Sequence, residues 1–69
     1  MSENEANKQL REMLMSFTTG SLLQMIADIH RKNAEQAMKE GDELRANQHC
    51  VVEHALVVIG MGCDAALPQ

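Results

Sequence analysis

The sequence predicts an all-α fold, in which a short N-terminal helix precedes an antiparallel helical hairpin and this three-helix unit assembles into a helical homo-oligomer. Three observations lead to this prediction. Apolar residues recur at steps of three and four along the chain. Cap and turn residues interrupt that pattern twice, at Thr18-Thr19-Gly20-Ser21 and at Gly41-Asp42. The last helix carries a surplus of apolar surface, since nine of the twelve residues from Cys50 to Met61 are apolar.

The length of the chain favours association. With 69 residues it forms one domain, and a domain of this size buries only about 60% of the surface that its unfolded chain exposes. Two cysteines permit at most one disulfide, so we expect reduced thiols in a cytoplasmic protein rather than a disulfide framework. Small chains without such covalent support often oligomerise.

Charge and hydropathy argue against several kinds of partner. The first five residues are polar and acidic, unlike a signal peptide. Glu53 and His54 interrupt the longest apolar stretch, which leads us to expect no membrane span. The net charge is −4, whereas nucleic acid binding requires a basic surface. We therefore expect no membrane and no direct nucleic acid partner.

The first helix is predicted over residues 3–17. Ser2 and Glu5 have the spacing of a capping box. The apolar residues of this segment form a single stripe, which predicts that the helix packs by one face; they are Ala6, Leu10, Met13, Leu14 and Phe17.

The second and third helices are predicted over residues 20–40 and 43–60. Thr18, Thr19 or Ser21 is placed to cap the second helix. Gly41 is placed to end it in the left-handed conformation, and Asp42 to cap the third helix. Gly60 and Gly62 both offer a stop, so residues 1–62 are expected to form a single helical domain and residues 63–69 a flexible tail.

We expect the hairpin to bury its bulky apolar stripes between its two long helices. These stripes are Leu22, Ile26 and Ile29 on one helix and Val51, Val52, Ala55, Val58 and Ile59 on the other. Near the turn, small residues are expected to allow close approach of the two backbones; they are Ala34, Ala37 and Ala46.

A second stripe on the third helix is the predicted partner or oligomer interface. Together with two residues of the second helix, this interface consists of Leu23, Met25, Cys50, His54, Val57 and Met61. One alternative stays open, in which the first helix covers the stripe and closes a monomeric three-helix bundle. An isologous dimer is the preferred interpretation, because the first helix offers only one apolar stripe.

Polar residues near the turn of the hairpin suggest a second kind of site. Amide and basic side chains group there and offer possible contacts to a small ligand; they are His30, Asn33, Gln36, Arg45 and Gln48. Subunit interfaces readily form shared pockets. An oligomer that binds a small ligand such as a nucleotide is therefore the alternative function.

No pattern in the chain predicts catalysis, a cofactor or a metal. Cys50 and His54 share a helix face, but a structural zinc site usually requires two such pairs. No nucleophile stands beside an evident base and orienting group. The sequence thus predicts a non-enzymatic, self-associating helical protein that binds another protein, as an adaptor, a chaperone subunit or an inhibitor does.

Overall fold

The structure is a computed structural model that describes residues 2–67 and consists of three helices. Helix α1 spans Glu3–Ser16, α2 spans Thr19–Lys39 and α3 spans Glu43–Ala66. The predicted all-α class is confirmed, since no strand occurs among the described residues. The last two residues of the predicted tail, Pro68 and Gln69, lie outside this range.

Each helix begins at a side chain that accepts a hydrogen bond from a backbone amide three residues later. The accepting oxygens are Oγ of Ser2 at 3.2 Å, Oγ1 of Thr18 at 2.9 Å and Oδ1 of Asp42 at 3.0 Å. These bonds satisfy amides that have no partner within the helix. All three caps lie at positions that the sequence predicts.

The connection from α2 to α3 is a tight turn built on Gly41. This glycine has a φ of +79°, a left-handed conformation that residues with a Cβ rarely adopt. Its amide donates to the carbonyl of Met38 at 3.0 Å, and the amide of Asp42 donates to the carbonyl of Ala37 at 2.9 Å. This pair of bonds is a Schellman motif, which reverses the chain at once and places α3 beside α2.

Helix α3 extends beyond its predicted end at Gly60 and continues to Ala66. Most of the segment that was expected to be a flexible tail is therefore helical. Gly60 does not end the helix, because it is buried where α3 packs closely against α2. A Cβ at this position would lie 3.3 Å from the carbonyl oxygen of Gly20. The contact between α2 and α3 outweighs the low helix propensity of glycine.

Helices α2 and α3 pack antiparallel along a line of alternating steps of three and four residues, which we call the seam. All the seam residues are buried or half-buried. The pattern is that of a coiled-coil interface. On α2 the seam consists of Gly20, Leu23, Ala27, His30, Ala34 and Ala37, and on α3 of Ala46, His49, Glu53, Leu56, Gly60 and Cys63.

The bulky apolar stripes do not form the interior of the hairpin, contrary to prediction. Ile29, Val58 and Ile59 are 58%, 56% and 56% exposed. The predicted close approach at Ala34, Ala37 and Ala46 is confirmed, since all three are buried. Small residues recur along the seam as far as Gly20 and Gly60, where the backbones also approach closely, and the bulky side chains lie at the flank.

The three helices form a thin layer without a core of large side chains. The dimensions are 40 × 31 × 15 Å, and α1 makes hardly any close contact with α2 or α3. The radius of gyration is 14.2 Å, against about 11 Å expected for a compact domain of this length. Alanines form the buried apolar core of residues 2–67; they are Ala27, Ala34, Ala37 and Ala46.

Candidate functional site

One flank of the seam, which we call the open face, combines the uncovered apolar stripes with the polar residues near the turn. Its residues follow each other at steps of three and four beside the seam, so they share one side of the hairpin. The open face consists of Leu22, Ile26, Ile29, Asn33 and Gln36 on α2 and of Arg45, Gln48, Val52, Ala55 and Ile59 on α3. It is apolar toward the free ends of the helices and polar toward the turn.

An apolar groove lies between α1 and the apolar half of the open face. Its volume is about 290 Å³, and only aliphatic and methionine side chains line it. Helix α1 contributes Leu10 and Met13, and α2 contributes Leu22, Met25, Ile26 and Ile29. The stripe of α1 thus faces the stripe of α2 across a gap that no side chain of residues 2–67 fills.

Helix α3 also exposes apolar side chains, on and next to the open face. Val51 and Val58 lie farthest from the seam, and both are exposed. Val52 and Ile59 lie beside the seam and are exposed as well. Residues of this size are normally buried in a folded domain. Contiguous apolar surface of this kind marks sites of interaction.

A polar pocket occupies the other half of the open face, next to the turn. Its volume is about 280 Å³, and it is lined by Asn33, Gln36, Arg45 and His49. The structure therefore brings together three of the five predicted ligand contacts. His30 does not line the pocket but contacts His49, with 2.9 Å between their Nδ1 atoms. Gln48 is exposed and does not line the pocket either. The sequence placed His49 near this cluster but not among the predicted contacts.

Ionic contacts across the turn hold Arg45 in place beside this pocket. Its Nη2 donates to Oε2 of Glu40 at 2.9 Å, and its Nε lies 3.9 Å from Oδ2 of Asp42. The hydrogen bond from Arg45 lowers the pKa of Glu40, and a further hydrogen bond from Gln36 lowers it in the same direction. Both carboxylates contact the guanidinium, so part of its positive charge is already compensated.

The predicted interface residues separate into three places. Leu23 is half-buried in the seam, and Met25 lines the apolar groove. The other four lie on the flank opposite the open face; Cys50, His54 and Met61 are exposed there, and Val57 is half-buried.

The flank that carries Val57 and Met61 has a more polar character than the open face. Val57 and Met61 line a shallow pocket of about 210 Å³ together with Gln24 and Asp64. Further along α2 this flank presents Asp28 and Arg31, which form an ion pair at 3.4 Å.

The side chains that bind metals do not assemble into a site in the described part of the chain. No group of three or more histidine, cysteine, aspartate and glutamate residues converges there. Cys50 and Cys63 are free thiols. The nearest approach of two such side chains is the pair His30 and His49, which we treat as a hydrogen bond across the seam.

Helix α3 meets the length and composition criterion for a membrane span, which the sequence interpretation did not expect. An 18-residue window of this helix has a mean hydropathy of 1.3. The difference arises because α3 continues past Gly60 to Ala66 and so includes more apolar residues. Core helices of soluble proteins satisfy the same criterion, so by itself this finding does not choose between lipid and protein as the neighbour of α3.

No protein-family profile, curated protein or solved structure matches this chain. Its function is therefore inferred from its own residues.

Proposed function

We propose that this protein is a non-enzymatic, self-associating helical protein of the cytoplasm that also binds another protein, in the manner of an adaptor, a chaperone subunit or an inhibitor. The observation that carries this proposal is the uncovered apolar half of the open face. Ile29 and Ile59 are more than half exposed, and the groove beside α1 is lined by apolar side chains alone. Covering such surface is the main driving force of protein association.

The surface area of the chain supports association quantitatively. The solvent-accessible area is 5403 Å², against about 4,300 Å² expected for a folded monomer of this mass. The excess of about 1,100 Å² exceeds the roughly 800 Å² that each partner buries in a typical stable interface. A second copy would therefore have enough area to bind.

The thickness of the molecule supports the same proposal. Domains consist of two or three layers packed around one core. This chain is a single layer of helices, 15 Å in its smallest dimension. Two copies that stack their open faces would form a two-layer helical bundle with the bulky aliphatic side chains between the layers.

The proposal is tested by the mass of the protein in solution and by two matched variants. We expect light scattering coupled to size exclusion, at tens of micromolar, to give at least twice the chain mass of 7.7 kDa. Ile59→Glu places a charge on the open face and should yield a folded monomer. Met61→Glu places the same charge on the opposite flank, at a residue that is 68% exposed, and should leave the oligomer intact.

Other outcomes of this experiment would contradict the proposal. A wild-type monomer whose circular dichroism and mass are unchanged by Ile59→Glu would remove self-association. Loss of the oligomer with Met61→Glu but not with Ile59→Glu would assign the interface to the flank of Val57 instead. Flotation of the protein with phospholipid vesicles, together with a monomeric mass in detergent, would assign the apolar surface to lipid.

Binding of a further protein requires that the oligomer leave part of its apolar surface uncovered. Met13 and Met25 line the groove, and methionine adapts to partners of different shape. Such a groove suits an amphipathic helix of a partner. We expect the oligomer to increase the fluorescence of the dye ANS. Fluorescence at the level of dye alone would show that no such surface remains and would oppose this part of the proposal.

Binding of a small ligand is the second candidate function, and the polar pocket favours it. Asn33, Gln36 and Arg45 offer several hydrogen-bond donors within a cavity of about 280 Å³. A nucleotide present at 100 times its dissociation constant adds about 2.7 kcal/mol to the free energy of unfolding. We expect nucleoside mono- and triphosphates to raise the melting temperature of the wild type but not of Arg45→Gln. An equal effect on both proteins, or none on either, would exclude this site.

A further inference from the structure

The groove between α1 and α2 is an apolar cavity open to a binding partner. Leu10 and Met13 face Leu22, Met25 and Ile26 across about 290 Å³ of space, without close packing between the two helices. Helix α1 is connected to α2 by two residues only, Phe17 and Thr18, so its stripe stays near α2. The two stripes therefore form the walls of one apolar site.

The lining of the groove restricts what can occupy it. Its walls offer almost no polar atoms, so a charged or hydrogen-bonding side chain placed there would lose its hydration without compensation. The occupant must then be an apolar surface without charge. Its length must also match the groove, which spans two turns of α2 from Leu22 to Ile29.

Helix α3 carries the surface of this chain that meets these requirements. Its side toward the open face is apolar and free of charge from Val51 to Ala66, since Glu53 lies in the seam and both His54 and Asp64 lie toward the opposite flank. Val58 and Ile59, at the middle of this side, are each 56% exposed. No residue of α3 lines the groove of its own chain, so the α3 that enters it must come from another copy.

We propose that the groove between α1 and α2 of one copy binds the apolar side of α3 that carries Val58 and Ile59 in a second copy. This inference rests on the self-association proposed above and specifies its geometry. In a twofold dimer each chain both receives and supplies an α3, so two equivalent contacts form and both apolar walls are covered. The surface excess of about 1,100 Å² per chain is sufficient for both contacts.

Disulfide trapping between two different variants tests this geometry. In a background of Cys50→Ser and Cys63→Ser, one chain carries Met13→Cys and the other carries Val58→Cys. After subunit exchange and mild oxidation, we expect a cross-linked species that contains both chains. The matched control replaces Met13→Cys by Met15→Cys, on the side of α1 away from the groove, where the side chain is 86% exposed; it should give no cross-link above background.

A charge variant provides a second measurement that separates this inference from the proposed function. Met13→Glu should reduce the mass to that of one chain while α-helical content is retained. If Met13→Glu leaves an oligomer that Ile59→Glu dissociates, self-association stands and the α1 groove is not its site. Cross-links between two Met13→Cys chains, without any to Val58→Cys, would show that α1 binds α1 and would also overturn the inference. A monomeric wild type would overturn both.

Discussion

His30 and His49 meet across the seam, with 2.9 Å between their Nδ1 atoms and 5.2 Å between their ring centroids. At this distance one imidazole donates its Nδ1 proton and the other accepts it. The pair lies within the hairpin and is the one hydrogen bond between a side chain of α2 and a side chain of α3 among the described residues. The contact joins α2 and α3 within the seam.

The histidine pair predicts that the hairpin loses stability when one of the two imidazoles is removed. His49→Ala deletes one partner of the hydrogen bond across the seam and leaves His30 without it. The loss of such a bond typically lowers the free energy of unfolding by about 1 kcal/mol, which urea denaturation measures.

A matched variant on the same helix is the control for this prediction. His54 is exposed on α3, so His54→Ala should change the free energy of unfolding little. Equal losses for His49→Ala and His54→Ala would contradict a stabilising contact between His30 and His49.

Gly60 and Gly62 should respond in opposite directions to replacement by alanine. A Cβ at Gly62 meets no atom within 4 Å, so Gly62→Ala should stabilise α3 by about 0.5 to 1 kcal/mol through helix propensity. A Cβ at Gly60 lies 3.3 Å from the backbone oxygen of Gly20, which cannot move aside. We expect Gly60→Ala to have a lower melting temperature than the wild type. An equal gain in stability for Gly60→Ala and Gly62→Ala would show that α2 and α3 leave room for a Cβ at Gly60.

Ala34 tests whether the seam depends on small side chains. This residue is 5% exposed between α2 and α3. Ala34→Leu must separate the helices or force unfavourable rotamers, and overpacking of this kind typically costs about 1 to 3 kcal/mol. Urea denaturation measures the loss. Ala65→Leu, at an exposed position of α3, serves as the control and should change stability little.

Asp64 closes the free end of the hairpin by capping the other helix. Its Oδ1 accepts a hydrogen bond from the amide of Gly20 at 3.1 Å, in the first turn of α2. The bond satisfies a free amide and places negative charge at a helix N-terminus. We expect Asp64→Ala to lower the free energy of unfolding by about 1 kcal/mol. Asp28→Ala is the control: it removes an ion pair with Arg31 on the surface and should lower the free energy of unfolding less. Equal losses of stability for the two variants would contradict a capping role of Asp64.

The sequence predicted the local features of the fold because each depends on residues close together in the chain. Ser2 and Thr18 cap their helices through oxygens three residues from the amides they bind, and Gly41 supplies a left-handed turn. Such contacts need no information from the rest of the molecule. The end of α3 was not predicted, because a contact with Gly20, forty residues earlier in the chain, retains Gly60 in the helix.

The candidate site was predicted only in part. Asn33, Gln36 and Arg45 are joined in one pocket as their positions near the turn suggested, and His49, which was placed near this cluster but not among its contacts, lines the pocket as well. The interpretation assigned the seam to bulky residues such as Ile29 and Ile59. The signal that could have corrected it is the repeat of small residues at intervals of seven, in which Gly20, Ala27 and Ala34 occupy equivalent positions on α2.

The sequence by itself determined that this chain is helical, where its helices begin and where the chain reverses. These properties follow from hydrogen bonds and periodicity within short segments. Only the tertiary structure decided which stripe became the seam. Close contact between backbones at Gly20 and Gly60 competes with burial of Ile29 and Ile59 for the same space, and that competition is resolved between helices rather than along one of them.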